Sequence, residues 1–558
     1  MNLRYFKNIL PVAVTTLVVA MSSCTKDLDV TPIDPNLTLE TTEAQAFTKC
    51  YANLGMESYN GANGDCDISG YDGGTTGFIR QIFNANTLTT DEAICGWGDE
   101  GISDYVFNTY TSAHPMLEGL YYRLFYGVTM CNDYLYKFSG TDATRTAEVR
   151  FLRALYYYEL MDLYANVPLV TKSPQENATS EQKSRAEIFK FIEDELLAVA
   201  GESGDNTAVL SDPKVKTADK ATGFNTNDSY GRADKAAAWM LLMRLYLNAE
   251  VYTGTAQWDK AATYAKKIID SPYTLWKGNT ASASSYQMLF MGDNGSSGAS
   301  CEAILPILQD GAMTSGWAGA LFLIASTTKS DMGSFGTTEY WGGNRARPQL
   351  IAKFFPKAAN TPASATAKEM ADAANDDRAL FFSAGDGRSL TIPTRTDISD
   401  FTKGYSVAKW TNIYSDQGAS HNSQFVDTDI FFLRAAEAYL AYAEATARQN
   451  GGKTTKEGTD YVNEVRQRAK ATTKNSTTES YSLSELLDEW SREFYFEGHR
   501  RVDLVRFGQF GGSDATYKWA WKGGDANGTI FSKERNVFAI PATEINAAQG
   551  AIKQNTGY

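Results

Sequence analysis

The sequence predicts a mainly α-helical fold, a helical solenoid of the tetratricopeptide type that is interrupted by large loop-rich insertions. Three observations lead to this prediction. Long segments repeat apolar residues at positions i, i+3, i+4 and i+7, the pattern of an amphipathic helix. Small residues fill stretches such as 435–444 (AAEAYLAYAE), which lets paired helices cross closely. Two long segments rich in glycine, serine, threonine and asparagine have no such period and separate the helical blocks.

Helical periodicity marks the segments of the solenoid in chain order. The run 236–243 is apolar on all sides, which predicts a helix buried on both faces. Several starts carry a capping box, in which two side chains three residues apart satisfy each other's backbone N–H groups. These pairs are Thr42 with Gln45, Ser184 with Glu187, and Ser482 with Glu485. The predicted helices are 42–56, 117–138, 145–164, 186–199, 233–249, 258–270, 430–448, 459–469 and 483–498.

The irregular segments are too long to be simple loops. A structureless stretch of that length does not occur in a compact domain, so we expect the insertions to fold with a core of their own and to form the ligand-binding part. The predicted helical platform is 41–56, 113–274 and 429–508, and the predicted loop-rich part is 57–112, 275–428 and 509–558.

The N-terminus predicts a lipoprotein. Residues 1–23 combine a basic start with an apolar run, 9–20, that is shorter than the about 20 residues that span a bilayer. Small residues before Cys24 are typical of a lipobox, in which that cysteine is acylated. An ordinary signal peptide with an incidental cysteine is the alternative. We expect 24–40 to be a tether and the lipid to be the only membrane anchor.

Composition excludes several functions. A net charge of −14 argues against nucleic acid and anionic membrane surfaces as partners. The three histidines lie far apart, and no CxxC occurs, so no metal site or cofactor is predicted. Residues 65–76 begin like an EF-hand loop, but Thr76 stands where a glutamate is required. Asp293 in the loop GDNGSSG is left as an alternative ligand for a structural calcium.

Three tryptophans stand in glycine-rich loops, where little apolar surface surrounds them. They are Trp97, Trp317 and Trp341, whereas Trp239 and Trp490, on predicted helices, and Trp410 are predicted to lie in the core. One such residue is readily explained as a loop anchor, but three exposed indoles favour a ligand. Sugar rings offer flat C–H faces to indoles and need fixed polar partners beside them. Arg80 would supply such donors in a rigid fork.

Several stretches resemble the SusD/RagB family of Bacteroidetes outer-membrane glycan-binding lipoproteins. The resemblance runs from Cys24 to Tyr558 and is closest to starch-binding members. The acidic stretch after Cys24, KDLD, also resembles the surface-export signal of such lipoproteins. The stretches that carry the resemblance are 147–170 (AEVRFLRALYYYELMDLYANVPLV), 231–254 (GRADKAAAWMLLMRLYLNAEVYTG), 427–445 (DTDIFFLRAAEAYLAYAEA), 486–508 (LLDEWSREFYFEGHRRVDLVRFG) and 538–558 (FAIPATEINAAQGAIKQNTGY).

The resemblance implies a surface-exposed outer-membrane protein that binds a glycan and passes it to a SusC-type TonB-dependent transporter. Arg80, Trp97 and Trp317 fall on matching binding positions, and the match of Trp341 is looser. Cys95 stands where the starch-binding relative has a further tryptophan. Glu100 stands at or near its binding asparagine and is predicted to be part of the glycan-binding site. The shortened aromatic set with an added acid favours a neutral glycan, starch-like or other, over an acidic one.

Three alternatives remain open: a peptide-binding lid of such a transporter, a glycoside hydrolase, and a scaffold without a small ligand. Hydrolysis needs two carboxylates beside the scissile bond. Glu493 and Glu497 are one helical turn apart, but arginines surround them, so we predict a structural role. Arg150 and Arg153 share a helix face and are likewise predicted to clamp neighbouring helices.

Overall fold

The structure, a computed structural model, describes residues 41–173, 181–204, 207–219, 229–385, 387–512 and 516–558. The predicted signal peptide, lipidation site and tether lie outside these residues. No helix in the described ranges is long and apolar enough to cross a membrane. Residues 47–558 form one compact unit, and the helix packing described below is that of this unit.

α-Helices dominate the described chain, and its strands are short. The helices are α1 Glu43–Gly55, α2 Gly73–Thr76, α3 Phe78–Phe83, α4 Ile102–Phe107, α5 Pro115–Phe138, α6 Ala143–Tyr164, α7 Arg185–Val199, α8 Lys235–Leu247, α9 Ala249–Thr253, α10 Trp258–Ile269, α11 Ser285–Met288, α12 Ala320–Ala325, α13 Pro348–Phe354, α14 Ala367–Ala374, α15 Ala436–Gln449, α16 Lys456–Arg468, α17 Leu483–Phe494, α18 Arg500–Arg506 and α19 Ala542–Ala547. The strands are β1 Ala93–Cys95, β2 Val167–Pro168, β3 Gln182–Lys183, β4 Ala303–Ile307, β5 Asn344–Ala346, β6 Phe381–Phe382, β7 Ser406–Val407 and β8 Ile430–Arg434. They pair antiparallel as β1–β5, β2–β3, β4–β8 and β6–β7.

The long helices pack in series. α5 packs against α6, α6 against α7, α7 against α8, and α8 against α10. α10 then packs against α15, and α15 contacts α16 and α17. The segment 270–435 is therefore an insertion between α10 and α15, two helices that pack against each other. Packing of each helix mainly on its neighbours is the property of a solenoid, so the predicted fold class is confirmed, while the domain boundaries stay predictions.

Helix starts follow the predicted caps with one exception. Ser184 and Glu187 exchange side-chain and backbone hydrogen bonds at the start of α7, and the capping boxes before α1 and α17 form in the same way. The prediction of a helix from residue 430 is wrong, because residues 430–434 form β8. This run of β-branched and aromatic residues favours a strand, and β4 supplies its partner, so α15 begins only at Ala436.

Buried arginines clamp the helices to one another as predicted. Arg150 and Arg153 of α6 each lie 2.8 Å from a carboxylate oxygen of Glu195 on α7. Arg500 of α18 binds Asp91, with its Nε 2.7 Å from the carboxylate. Such pairs are strongly destabilising to break, because one partner would be left as a buried uncompensated charge.

Glu493 is the centre of the largest of these networks. Its carboxylate pairs with Arg378 from the insertion, Arg434 from β8 and Arg468 from α16. Burial alone would raise the pKa of Glu493, but the three arginines hold it low, at about 2. Glu497 pairs with Lys409 and Arg434. Both glutamates are thus structural, as predicted. The predicted helix 483–498 is too long, because α17 ends at Phe494 and Glu497 lies beyond it.

The tryptophans outside the glycine-rich loops differ from one another in burial. Trp410 and Trp490 are each 2% exposed and belong to the core, as predicted. The prediction that Trp239 is core is wrong. This side chain is only partly buried on α8, and its indole N–H donates to Glu202 at 2.7 Å.

Candidate functional site

A short antiparallel strand pair brings two of the three loop tryptophans together. Next to the β1–β5 pair, Gly96 donates its backbone N–H to the Gly343 carbonyl at 3.1 Å. Trp97 therefore lies beside Gly343, where an added Cβ atom would come within 2.1 Å of the indole ring. The ring centroids of Trp97 and Trp341 are 6.2 Å apart. Glycine at position 343 is what lets the first ring approach the second.

Trp341 is fixed at both its backbone and its indole nitrogen. The backbone N–H donates to the Ala325 carbonyl at 2.7 Å. The indole N–H donates to Glu339 at 2.8 Å, and the other oxygen of Glu339 accepts from the Gln424 side-chain amide at 2.8 Å. A charge-assisted hydrogen bond of this kind fixes the ring plane.

Trp317 is fixed in a similar way from the segment 57–62. Its backbone N–H donates to the buried carboxylate of Glu57 at 2.6 Å, and its indole N–H donates to the Ala62 carbonyl at 3.1 Å. Its ring centroid lies 6.3 Å from that of Trp341, and the two ring planes differ by 37°.

The three side chains form one continuous group in the order Trp97, Trp341, Trp317, which we call the aromatic row. Each is half-buried. Two of the indole N–H groups are used internally, so ring faces and edges remain as the contact surface. The planes of Trp97 and Trp341 differ by 62°, so the rings do not form one flat platform. The row offers apolar stacking positions in series, beside fixed polar groups.

Arg80 on α3 lies against the aromatic row. It is only 8% exposed, and its guanidinium carbon is 5.4 Å from the ring centroids of both Trp97 and Phe322. Its terminal nitrogens donate to the Gly74 carbonyl at 2.9 Å and to Asp99 at 2.8 Å. The expected open fork is therefore largely engaged, and Arg80 supports Trp97. A direct contact between Arg80 and a glycan stays a prediction.

Glu100 adds an unbalanced charge beside this pair. Asp99 is balanced by Arg80, whereas Glu100 is exposed and its carboxylate has no hydrogen bond or ion pair within the described ranges. Cys95 is 2% exposed, and burial raises its pKa to about 12. It is inert under ordinary conditions and does not extend the row.

Sequence reasoning missed three side chains around Trp317. The ring of Phe425 packs edge-on against Trp317 with centroids 5.1 Å apart. Tyr59 and Met313, on the two segments that hold Trp317, are 79% and 73% exposed. Phe425 and Tyr59 are also aromatic residues in polar segments. The pattern that identifies the three tryptophans therefore applies to them as well.

One group has the donor atoms of a cation site. Single ligand atoms of Asp310, His421 and Asp427 lie within 4.8 Å of one another. Their carboxylates are also engaged locally, because Asp310 accepts from the Ala312 N–H at 2.9 Å and Asp427 from the Gly311 N–H at 2.8 Å. These bonds shape the loop that leads to Trp317, so the cluster has a structural role there.

The two calcium alternatives from the sequence are engaged by protein groups. Asp67 of the EF-hand-like segment pairs with Lys49 and Arg123. Asp293 accepts from the backbone and hydroxyl of Ser415 at 2.9 and 2.6 Å. The absence of a cofactor stays a prediction.

Comparison with known proteins places this geometry in context. The model of the SusD family matches residues 383–558. The starch-binding protein SusD of Bacteroides thetaiotaomicron is 36% identical over 590 aligned positions, which cover 100% of both chains.

Solved structures share the fold at low identity. A SusD-like protein from Bacteroides fragilis has a TM-score of 0.63 at 18% identity, covering 93% of this chain and 97% of its own. Surface glycan-binding protein A from Bacteroides thetaiotaomicron, solved with laminarihexaose, has a TM-score of 0.62 at 20% identity, covering 92% and 98%.

Proposed function

This chain belongs to the SusD family, and from that membership we propose that it is a cell-surface lipoprotein which binds a neutral oligosaccharide or polysaccharide, starch-like or other, and delivers it to a SusC-type TonB-dependent transporter. A full-length relative is named as starch-binding, and a fold relative was solved with a glucan oligosaccharide. Both support a glycan as the ligand.

The aromatic row is the observation that carries the proposal. Trp317 and Trp341 are held by hydrogen bonds from their backbone and indole N–H groups, and Trp97 packs against Arg80. The three half-buried indoles are therefore pre-organised, so little conformational freedom is lost on binding. The C–H faces of sugar rings match such surfaces. Three stacking positions in series favour a chain of several sugar residues over a monosaccharide.

Charge selects against acidic glycans. The net charge of the chain is −14, and Glu100 is unbalanced next to the pair that supports Trp97. A uronic acid polymer would meet repulsion here, whereas a neutral chain would not.

The role we propose is binding without hydrolysis. A glycosidase needs one carboxyl group with a raised pKa as its general acid. The pair that the sequence singles out is Glu493 and Glu497, and the surrounding arginines hold the pKa of Glu493 at about 2 although burial opposes them. The carboxylates of Glu493 and Glu497 both form an ion pair with Arg434.

Anchoring and transfer complete the proposal. The lipid on Cys24 would hold the protein at the outer membrane, and the transporter would receive the bound glycan. Family membership supports both steps, and the acidic composition fits a role without nucleic acid.

Affinity electrophoresis of the chain from residue 25 onward tests the proposal. Native gels containing amylopectin, levan, xyloglucan, pectin or no glycan would be run with the wild type, the double variant Trp97→Ala/Trp341→Ala, and Trp239→Ala as a control for removal of a half-buried tryptophan. We expect retardation of the wild type and of Trp239→Ala on a neutral glycan, and none of the double variant.

Circular dichroism of all three proteins separates loss of binding from loss of folding. Uniform migration of the wild type in every gel would contradict glycan binding and favour peptide capture. Reducing-sugar release from the retarding glycan would contradict the non-enzymatic role.

A further inference from the structure

A small cavity of about 40 Å³ lies where the helical series meets the segment that follows Arg80. Its wall combines residues of α6, α8, α15 and α18 with Ile82 and Asn86. The wall is densely charged, and its ionisable members are Tyr158, Glu159, Arg244, Glu437, Glu497, His499, Asp503 and Arg506.

Most of these charges are balanced within the protein. Arg244 binds both carboxylate oxygens of Glu437, at 2.6 and 2.7 Å. Arg506 binds Asp503 at 2.8 Å. Glu159 differs: it is 5% exposed, yet its carboxylate makes no hydrogen bond or ion pair with any residue that the structure describes.

An unpaired buried carboxylate is costly in its ionised form. Burial raises the pKa of Glu159 to about 8, with Asp162 and Glu437 adding to the rise and Arg244 opposing it. His499 offers no compensating charge, because burial and the neighbouring arginines hold its pKa well below the usual value. The carboxyl group therefore favours the protonated form, which needs an acceptor for its O–H.

The cavity is large enough to supply that acceptor. One buried water molecule needs roughly 10–15 Å³ and two to four polar partners. Asn86, Asn248 and the charged groups of the wall provide such partners.

We propose that this cavity binds a cluster of about two or three ordered water molecules, and that Glu159 carries a proton at neutral pH and donates it as a hydrogen bond into the cluster. The site is independent of the glycan-binding proposal.

A proton held only in the folded state makes stability depend on pH. In the unfolded chain Glu159 ionises near its usual pKa of 4.5, so unfolding at pH 6 releases a proton. The stabilisation is complete below that pKa and is lost as the pH rises towards 8. One released proton raises the unfolding equilibrium constant about tenfold per pH unit in that window.

The test compares denaturant unfolding of the mature wild type, Glu159→Gln and Glu250→Gln between pH 5 and 8.5. Glutamine keeps the shape and hydrogen-bonding capacity of the neutral acid. Glu250 is an exposed glutamate on the neighbouring α9 and serves as the matched control. Burial also raises the pKa of Asp503, to about 6, but Asp503 titrates in all three proteins and cancels in the comparison.

We expect the ratio of unfolding constants, wild type over Glu159→Gln, to rise by about tenfold per pH unit above pH 5 and to level off near pH 8. Glu250→Gln should follow the wild type. A ratio that is flat or falls with pH would overturn the protonated state.

Neutron diffraction from the wild type at pH 7 tests the same site without a variant, and decides the matter if Glu159→Gln does not fold. The proposal requires deuterium on the Glu159 carboxyl group and ordered water within hydrogen-bond distance of it. A dry cavity, or a bare carboxylate rotated onto Arg244, would overturn it.

Discussion

Polar side chains have different roles in the helical series and in the aromatic row. In the series, buried arginines and carboxylates form ion pairs with one another, as around Glu493, and these pairs hold the helices together. In the row, polar groups such as Glu57 and Glu339 bind the nitrogens of tryptophans and leave the ring faces half-exposed. Elements joined by buried ion pairs provide a rigid base, and loops held at their nitrogens present a surface for a ligand.

The largest effect on stability is expected from a substitution in the helical series. Replacing Glu493 by alanine would leave Arg378, Arg434 and Arg468 without a shared carboxylate, and we expect the free energy of unfolding to fall by about 3–5 kcal/mol. Denaturant titration measures it. The control is Glu464→Ala, which removes a surface partner of Lys277 and should cost less than about 1 kcal/mol. Equal effects of the two substitutions would refute the assigned role of the network.

The spacing of the rings in the aromatic row can be changed while all three tryptophans are kept. Gly343→Ala places a methyl group 2.1 Å from the Trp97 ring, so the ring must move away from Trp341. We expect about 1–3 kcal/mol of destabilisation and at least a tenfold loss of glycan affinity by isothermal titration. Gly98→Ala is the matched control, because nothing lies within 4 Å of its new Cβ atom. Full affinity of Gly343→Ala would show that the spacing of the two rings does not matter.

A smaller effect should follow from releasing Trp341 alone. Glu339→Ala removes the acceptor of its indole N–H, so the ring is less fixed but still present. We expect an affinity loss of about fivefold, equivalent to about 1 kcal/mol for one hydrogen bond, with an unchanged melting temperature. A loss as large as that of the double tryptophan variant would mean that Glu339 contacts the glycan itself.

The smallest change should come from Glu100→Gln. Removing this exposed charge leaves the aromatic row intact, so affinity for a neutral glycan should stay within about twofold. Repulsion of pectin should be slightly weaker in the variant than in the wild type at low salt, and this difference in migration should vanish at high salt. Stronger binding of the neutral glycan would instead place Glu100 at the ligand.

Sequence reasoning recovered the helical series far better than the site. Helix periods and capping boxes are local signals, so α5, α6 and α7 could be predicted within a few residues. The strand β8 could not, because its partner β4 is more than a hundred residues away and pairing decides its state. The three tryptophans were found from their glycine-rich surroundings. The adjacency of Trp97 and Trp341 depends on the β1–β5 pair, a non-local contact that no local pattern reveals.

Arg80 shows the same limit at one residue. Its type and position predict a donor for a ligand, but its actual partners, Gly74 and Asp99, depend on how the chain turns after α2.

The most direct test of the account is a crystal structure of the mature chain with an oligosaccharide of the glycan that retards it. We expect sugar rings stacked on at least two of Trp97, Trp341 and Trp317, with the helical series unchanged. A glycan bound elsewhere, with all three indoles free of contact, would contradict it.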